Sequence, residues 1–153
     1  MKKWALLSFI VAAVLFLTAC TLDPFEAYEN FVTDLDINAR IEDAFYSVNQ
    51  GDTSPFFRSS VESIYYDLQS FSAEDDGTVP ASDSNPPQID YPLVINNDYT
   101  ECVQKLLDAI NDNVAGDPLA AKSDFDQALG KYAEAQNLYQ QFVIQHNQKN
   151  NFS

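Results

Sequence analysis

The sequence predicts an all-α protein, a bundle of about four amphipathic helices built as two helical hairpins joined by a proline-rich crossover. Three observations carry that expectation. Apolar residues recur at helical spacing through four long segments. The pairs Asp23-Pro24, Ser54-Pro55 and Asp117-Pro118 each place a capping side chain before a proline, the arrangement that opens a helix. One stretch, residues 73–97, concentrates four of the 7 prolines and stops any helix between the second and third segments.

The first twenty residues stand apart from this pattern. Lys2 and Lys3 precede an apolar run from Trp4 to Leu17, 14 residues long, which ends in Leu17-Thr18-Ala19-Cys20. The run falls short of the roughly 20 residues needed to cross a bilayer, and it has the basic, apolar and small-residue parts of an export signal in order. The last four residues resemble the lipobox of bacterial lipoproteins. The resemblance covers residues 2–21 and implies that residues 1–19 are a signal peptide, that Cys20 carries the lipid, and that residues 20–153 form a single domain. Two or three acyl chains on one cysteine make a stable tether, because each buried methylene adds about 0.8 kcal/mol. The expected location is a membrane surface outside the cytoplasm. Thr21 after the cysteine resembles outer-membrane sorting in a cell with two membranes; in a single-membrane cell the domain faces the wall.

Charge narrows the partners. The chain has a formal net charge of −15, and loss of Lys2 and Lys3 takes it to −17. Such a domain is repelled by phosphate backbones and by anionic lipid headgroups, so nucleic acid is excluded and any electrostatic partner is cationic. With Cys20 lipidated, Cys102 has no partner for a disulfide, and folding rests on burial of Phe and Tyr.

The elements follow in order. Asp23-Pro24-Phe25-Glu26 is a capping-box-like start, so a helix should begin at residue 24. Its apolar residues form two sets, Phe25, Tyr28, Phe31, Val32, Leu35 and then Ile37, Ile41, Ala44, Phe45, Val48. The shift of phase between them means one bent helix or two short ones. Gly51-Asp52 ends it, and Ser54-Pro55 opens a second helix with the stripe Phe57, Val61, Ile64, Tyr65, Leu68 and Phe71. Residues 73–97 read as a flexible acidic and proline-rich loop, with Tyr91 to Ile95 extended against the body. Helix resumes near Asp98, with Tyr99, Val103, Leu106, Leu107, Ile110 and Val114 on one face and Cys102 beside it as a small core residue. After Gly116, a long helix runs from Pro118 to about Gln148.

That last helix holds the most regular pattern in the chain. Phe125, Tyr132, Tyr139 and His146 lie seven apart, and Ala121, Ala128, Ala135 and Phe142 make a second row at the same interval. Rings set against small residues let two helices approach closely, within one chain or between chains. The segment Ala128 to Tyr139 looks like a tetratricopeptide helix, but no second copy follows at the required period.

Catalytic chemistry is thinly represented. His146 is the single histidine, too few for an imidazole zinc site, and Cys102 with His146 lacks an orienting third residue. Glu62-Ser63 resembles the Glu-Ser pair of lytic transglycosylases without the segments that surround it there. Glu74-Asp75-Asp76-Gly77 fits an EF-hand loop only in part, and Pro86-Pro87 forbids the exiting helix. Asp23-Pro24-Phe25-Glu26 is also similar to the opening of outer-membrane phospholipid-transport lipoproteins, over those few residues alone. The expectation is therefore a non-enzymatic, lipid-anchored interaction or assembly module of the cell envelope with no cofactor, binding an envelope protein through Tyr132, Tyr139, His146 and the acidic loop residues Glu74, Asp75 and Asp76. The alternative is an envelope carrier that holds a small ligand or cation inside the bundle.

Overall fold

The computed structural model describes residues 24–71 and 90–151, and every regular element within them is a helix. They are α1 (Pro24–Asp34), α2 (Ile37–Asn49), α3 (Pro55–Ser70), α4 (Tyr91–Ala115) and α5 (Pro118–Asn151).

The phase shift in the first segment is a break between two helices. Asp36 takes the left-handed conformation at φ 50°, which a short polar side chain tolerates better than most. A break leaves the last carbonyls of α1 without helical partners. Arg40, one turn into α2, meets that need: its Nη1 donates to the Leu35 carbonyl at 3.1 Å and to Asp67 Oδ2 at 2.7 Å, while Nη2 donates to Ser63 Oγ at 3.1 Å. One guanidinium thus joins the α1–α2 corner to α3.

The caps form as local chemistry dictates. Ser54 Oγ accepts from the Phe57 N–H at 3.3 Å, and Asp117 Oδ1 accepts from the Ala120 N–H at 3.0 Å. Gly116 ends α4 at φ 80°, and the Asp117 N–H donates back to the Asp112 carbonyl at 2.9 Å.

Contacts between helices distant in sequence set the direction of each helix. Phe25 of α1 meets Phe142 at 5.1 Å and His146 at 4.1 Å near the end of α5, and Phe45 of α2 meets Phe125 at 5.5 Å near its start. The α1–α2 leg therefore runs antiparallel to α5. α3 returns, bringing Phe71 to Tyr28 at 5.1 Å and Phe31 at 4.9 Å. α4 then descends, from Tyr91 against Phe142 at 5.7 Å, through Tyr99 against Tyr132 at 6.0 Å, to Lys105 against Asp124 at 3.0 Å. The architecture is an up-and-down four-legged bundle whose first leg is broken. α4 lies at its middle, touching α1, α2, α3 and α5, with its largest contact along α5. Burial on several sides of α4 follows: Ile95, Tyr99, Cys102, Val103, Leu106 and Ala109 are all fully enclosed.

Two expectations need correction. Residues 91–97 are helical, neither loop nor extended strand, because α4 begins at Tyr91. Asp90 Oδ1 caps it by accepting from the Leu93 N–H at 3.2 Å, and Pro92 falls in the first turn, where its missing N–H costs nothing. Asn96 in that segment is buried, and its Nδ2 donates to the Leu68 carbonyl at 2.9 Å, closing off the end of α3. Val114, expected on the core face, is exposed because it stands one residue before α4 ends and beyond the reach of neighbouring legs.

The ends of the bundle are therefore distinct. Pro24, Phe71, Asp90 and the last turns of α5 share one end; the links 50–54 and 116–117 share the other.

Candidate functional site

The seam of α5 faces inward. Ala121, Ala128 and Ala135 are buried, and the rings of the companion row are half-buried against the other helices. Tyr132 packs on Phe45 at 5.6 Å and on Tyr99 at 6.0 Å, and its hydroxyl donates to Glu42 Oε1 at 2.8 Å. Burial, then the Glu42 carboxylate, push its phenol pKa up. Tyr139 is half-buried too, and its phenol is raised first by burial and then by the charge of Glu29. His146 stacks on Phe25 with the ring planes 13° apart. All three residues singled out on α5 thus serve packing within the chain. Glu74, Asp75 and Asp76 lie outside the described residues, between Phe71 and Asp90, and Cys20 is likewise outside them.

Around Tyr132 and Tyr139 the bundle holds a polar core that the apolar periodicity did not reveal. Tyr99, fully buried, donates to Asn38 Oδ1 at 2.7 Å, and Gln136 Nε2 donates both to that same oxygen and to the Tyr99 hydroxyl, each at 2.8 Å. These contacts join three helices, with Tyr99 fully buried and Asn38 and Gln136 half-buried, so the Tyr99 hydroxyl depends on them for its partners. Asn38 and Gln136 carry no spacing signal, and only the folded chain brings them 98 residues together.

Tyr28 lies close to this network and is fully buried, yet its hydroxyl meets no hydrogen-bond partner among the described residues. Burial, followed by the neighbouring Tyr99, Tyr139 and Asp98, drives its pKa up, so it stays protonated. An unpartnered buried hydroxyl costs about 1–3 kcal/mol, and Tyr28→Phe removes it while keeping the ring. That variant is expected to gain about 1 kcal/mol in urea unfolding. A loss of stability instead would show that the hydroxyl is held by an ordered partner.

Cys102 offers no nucleophile. It is fully enclosed on α4, and burial pushes its thiol pKa up to about 12. Iodoacetamide at pH 8 is expected to leave Cys102 unmodified in the folded chain and to label it in denaturant, read by intact mass. Labelling at equal rates in both states would contradict the buried placement.

Charge is arranged unevenly. Lys131 Nζ gathers Glu101 at 2.9 Å, Glu134 at 3.0 Å and Asp98 at 3.3 Å, which raises its pKa and ties α4 to α5. Lys105 does the same with Asp124 at 3.0 Å and Asp108 at 3.4 Å. Half-buried Asp112 sits among acids at the α4–α5 end: partial burial, then Asp124, Asp117 and Asp108, raise its pKa. A carboxyl whose folded pKa lies above its unfolded one destabilises the fold when charged, and the penalty fades as pH falls through the folded pKa. Asp112→Asn is therefore expected to raise the Tm at pH 7, with the gain shrinking toward acid pH in thermal scans. A gain that is unchanged at low pH would remove repulsion as its cause.

Among the described residues no group of three or more His, Cys, Asp or Glu is arranged to hold a metal ion, and no helix is long and apolar enough to cross a membrane. The surface depression of about 520 Å³ beside Leu119, Lys122, Ser123, Asp126 and Gln127 is open to solvent. The chain matches no family model, no curated protein and no solved structure.

Proposed function

We propose that this chain is a lipid-anchored cell-envelope lipoprotein whose helical bundle acts as a non-enzymatic protein-interaction or assembly module. The observation that carries the reading is the run Lys2-Lys3, Trp4 to Leu17 and Leu17-Thr18-Ala19-Cys20, set three residues ahead of a helix that is already packed at Phe25. Thr21, Leu22 and Asp23 reach at most roughly 14 Å when fully extended. A lipid on Cys20 would thus hold the bundle by the end that carries Pro24, Phe71 and Asp90, with the acidic segment containing Glu74, Asp75 and Asp76 entering and leaving at that same end.

The interior supports a module more than a carrier. Rings from α1, α2, α4 and α5 pack into one cluster with the alanines of α5, and the hydroxyls of Tyr132 and Tyr99 are engaged by Glu42, Asn38 and Gln136.

Two measurements test it. Mass spectrometry of the protein from its own cells should find an N-terminal Cys20 bearing diacylglycerol; an unmodified Met1 or a cleaved, unlipidated terminus would overturn the anchor. In-cell crosslinking should then recover an envelope protein with the native chain and lose it with Cys20→Ser. Recovery of the same proteins by both forms would show that anchoring plays no part in the interaction.

A further inference from the structure

The far end of the bundle is where apolar surface collects. Among the described residues the most exposed large apolar side chains are Phe56 (87%), Leu119 (82%), Tyr46 (69%), Tyr66 (67%) and Val114 (66%). All but Tyr66 stand within one turn of the two links that close that end. Tyr46 lies near the end of α2, Phe56 is the second residue of α3, Val114 is the penultimate residue of α4 and Leu119 the second of α5. Single exposed apolar residues such as Tyr66, Ile144 and Leu129 elsewhere on the bundle are ordinary; four of the five most exposed close to the same end are a concentration that favours an interaction surface. No packing within the chain explains them, since the rings beside them in sequence, Phe45 and Phe57, are the ones turned into the core.

The charges around them say what kind of partner fits. The cations of the adjoining turns are already committed, Arg58 to Glu62 at 3.1 Å, Lys122 to Asp126 at 2.6 Å and Lys105 to Asp124 at 3.0 Å. Among the described residues no ion pair takes up Asp112 or Asp117 at the α4–α5 turn, where partial burial and then the neighbouring Asp124 and Asp117 raise the proton affinity of Asp112. A second copy of this chain would bring the same acids face to face, and an anionic lipid surface would be repelled. A cationic segment with apolar side chains relieves the repulsion and covers the exposed rings at once.

We infer that the end of the bundle formed by the α2–α3 and α4–α5 links, presenting Tyr46, Phe56, Val114 and Leu119 together with Asp112 and Asp117, is the docking surface for a basic, amphipathic segment of a partner protein. The inference rests on the interaction-module reading and names the surface it uses. With the lipid on Cys20 at the opposite end, α5 is the spacer: 34 residues of helix extend about 50 Å, so the surface is held well away from the membrane.

The test uses the full chain in phosphatidylcholine nanodiscs, with a photo-crosslinking amino acid at Leu119, at Phe56 or, as the control on the bundle side, at Tyr66. The probes are a helical Leu/Lys peptide and a Ser/Lys peptide of equal charge. Crosslinking of the Leu/Lys peptide at Leu119 and Phe56 should exceed that at Tyr66 by about tenfold, the factor that 1.4 kcal/mol of preference gives. It should fall to the Tyr66 level with the Ser/Lys peptide and in a Val114→Ser, Asp112→Asn background, whose fold is checked by circular dichroism. Equal yields at all three positions would reduce the binding to general charge attraction and overturn the surface while leaving the module reading in place. Crosslinks between copies, or to lipid, would overturn it in favour of self-association or membrane contact. The recovery of an envelope partner in cells that crosslinks only to other residues would also sink the surface without touching the module.

Discussion

Leu106→Ala is expected to cost about 3–5 kcal/mol, the largest loss of any single truncation in this chain. Leu106 is fully buried on α4, the helix that touches all four others, so the three carbons removed face neighbours on more than one side. The cost of such a truncation depends on how far the surroundings can collapse into the space. Collapse is restricted here: α4 is held to α5 by the Lys131 cluster and by the Tyr99, Asn38 and Gln136 network, and to α3 by Asn96 on the Leu68 carbonyl. A small domain is stable by about 5–15 kcal/mol, so a loss of this size is a substantial share of the total. In thermal unfolding the midpoint should drop by about 10 °C or more. Leu119→Ala, at a side chain 82% exposed, supplies the comparison and should change stability by about 0.5 kcal/mol at most. A mild effect at Leu106 would mean that α4 is not the central helix.

Which parts of this arrangement could be read from sequence follows from the range of the interactions involved. Helix starts were legible at Pro24, Pro55 and Pro118 because a cap and a first-turn proline act within four residues. The same chemistry at Asp90, Tyr91 and Pro92 was hidden by its neighbours. Pro80, Pro86 and Pro87 make the whole stretch look like loop, and only the burial of Tyr91, Ile95 and Asn96 draws the last part of it into α4. The break at Asp36 was visible as a shift of phase, whereas Arg40 as the residue that satisfies it was not, since its partners Ser63 and Asp67 come from the next helix. For the candidate site the division is similar. Periodicity identified Tyr132, Tyr139 and His146 as a row but could not say what the row faces, because Glu42, Asn38 and Phe25 are brought to it from about a hundred residues away. The far end was missed altogether. Val114 fits the apolar stripe of its helix, and only the end of that helix decides that a residue in phase with the core lies beyond it; Leu119 is out of phase with the buried alanines of α5 and carried no signal.

Ala128→Leu is the sharpest test of the α5 seam and is expected to cost about 2–3 kcal/mol. Ala128 is fully buried, and Ala121 and Ala135, one heptad to either side, are buried as well. Small residues at that spacing set the distance between α5 and the helix it packs on, and three added carbons have no space unless the helices separate. Separation is opposed by neighbouring contacts. Tyr132, one turn along, would have to leave Phe45 and give up its hydrogen bond to Glu42, and Gln136 would lose Asn38 and Tyr99 together. Strain that cannot be relieved locally appears as lost stability. Ala133→Leu, at an exposed position of the same helix, controls for the added side chain and should be nearly neutral. The pair also separates two uses of the seam. Packing within one chain predicts a loss of stability that does not depend on protein concentration. A seam shared between chains would instead make the Ala128→Leu effect concentration-dependent and shift the oligomeric state seen by sedimentation, because the substitution would then disrupt association before folding.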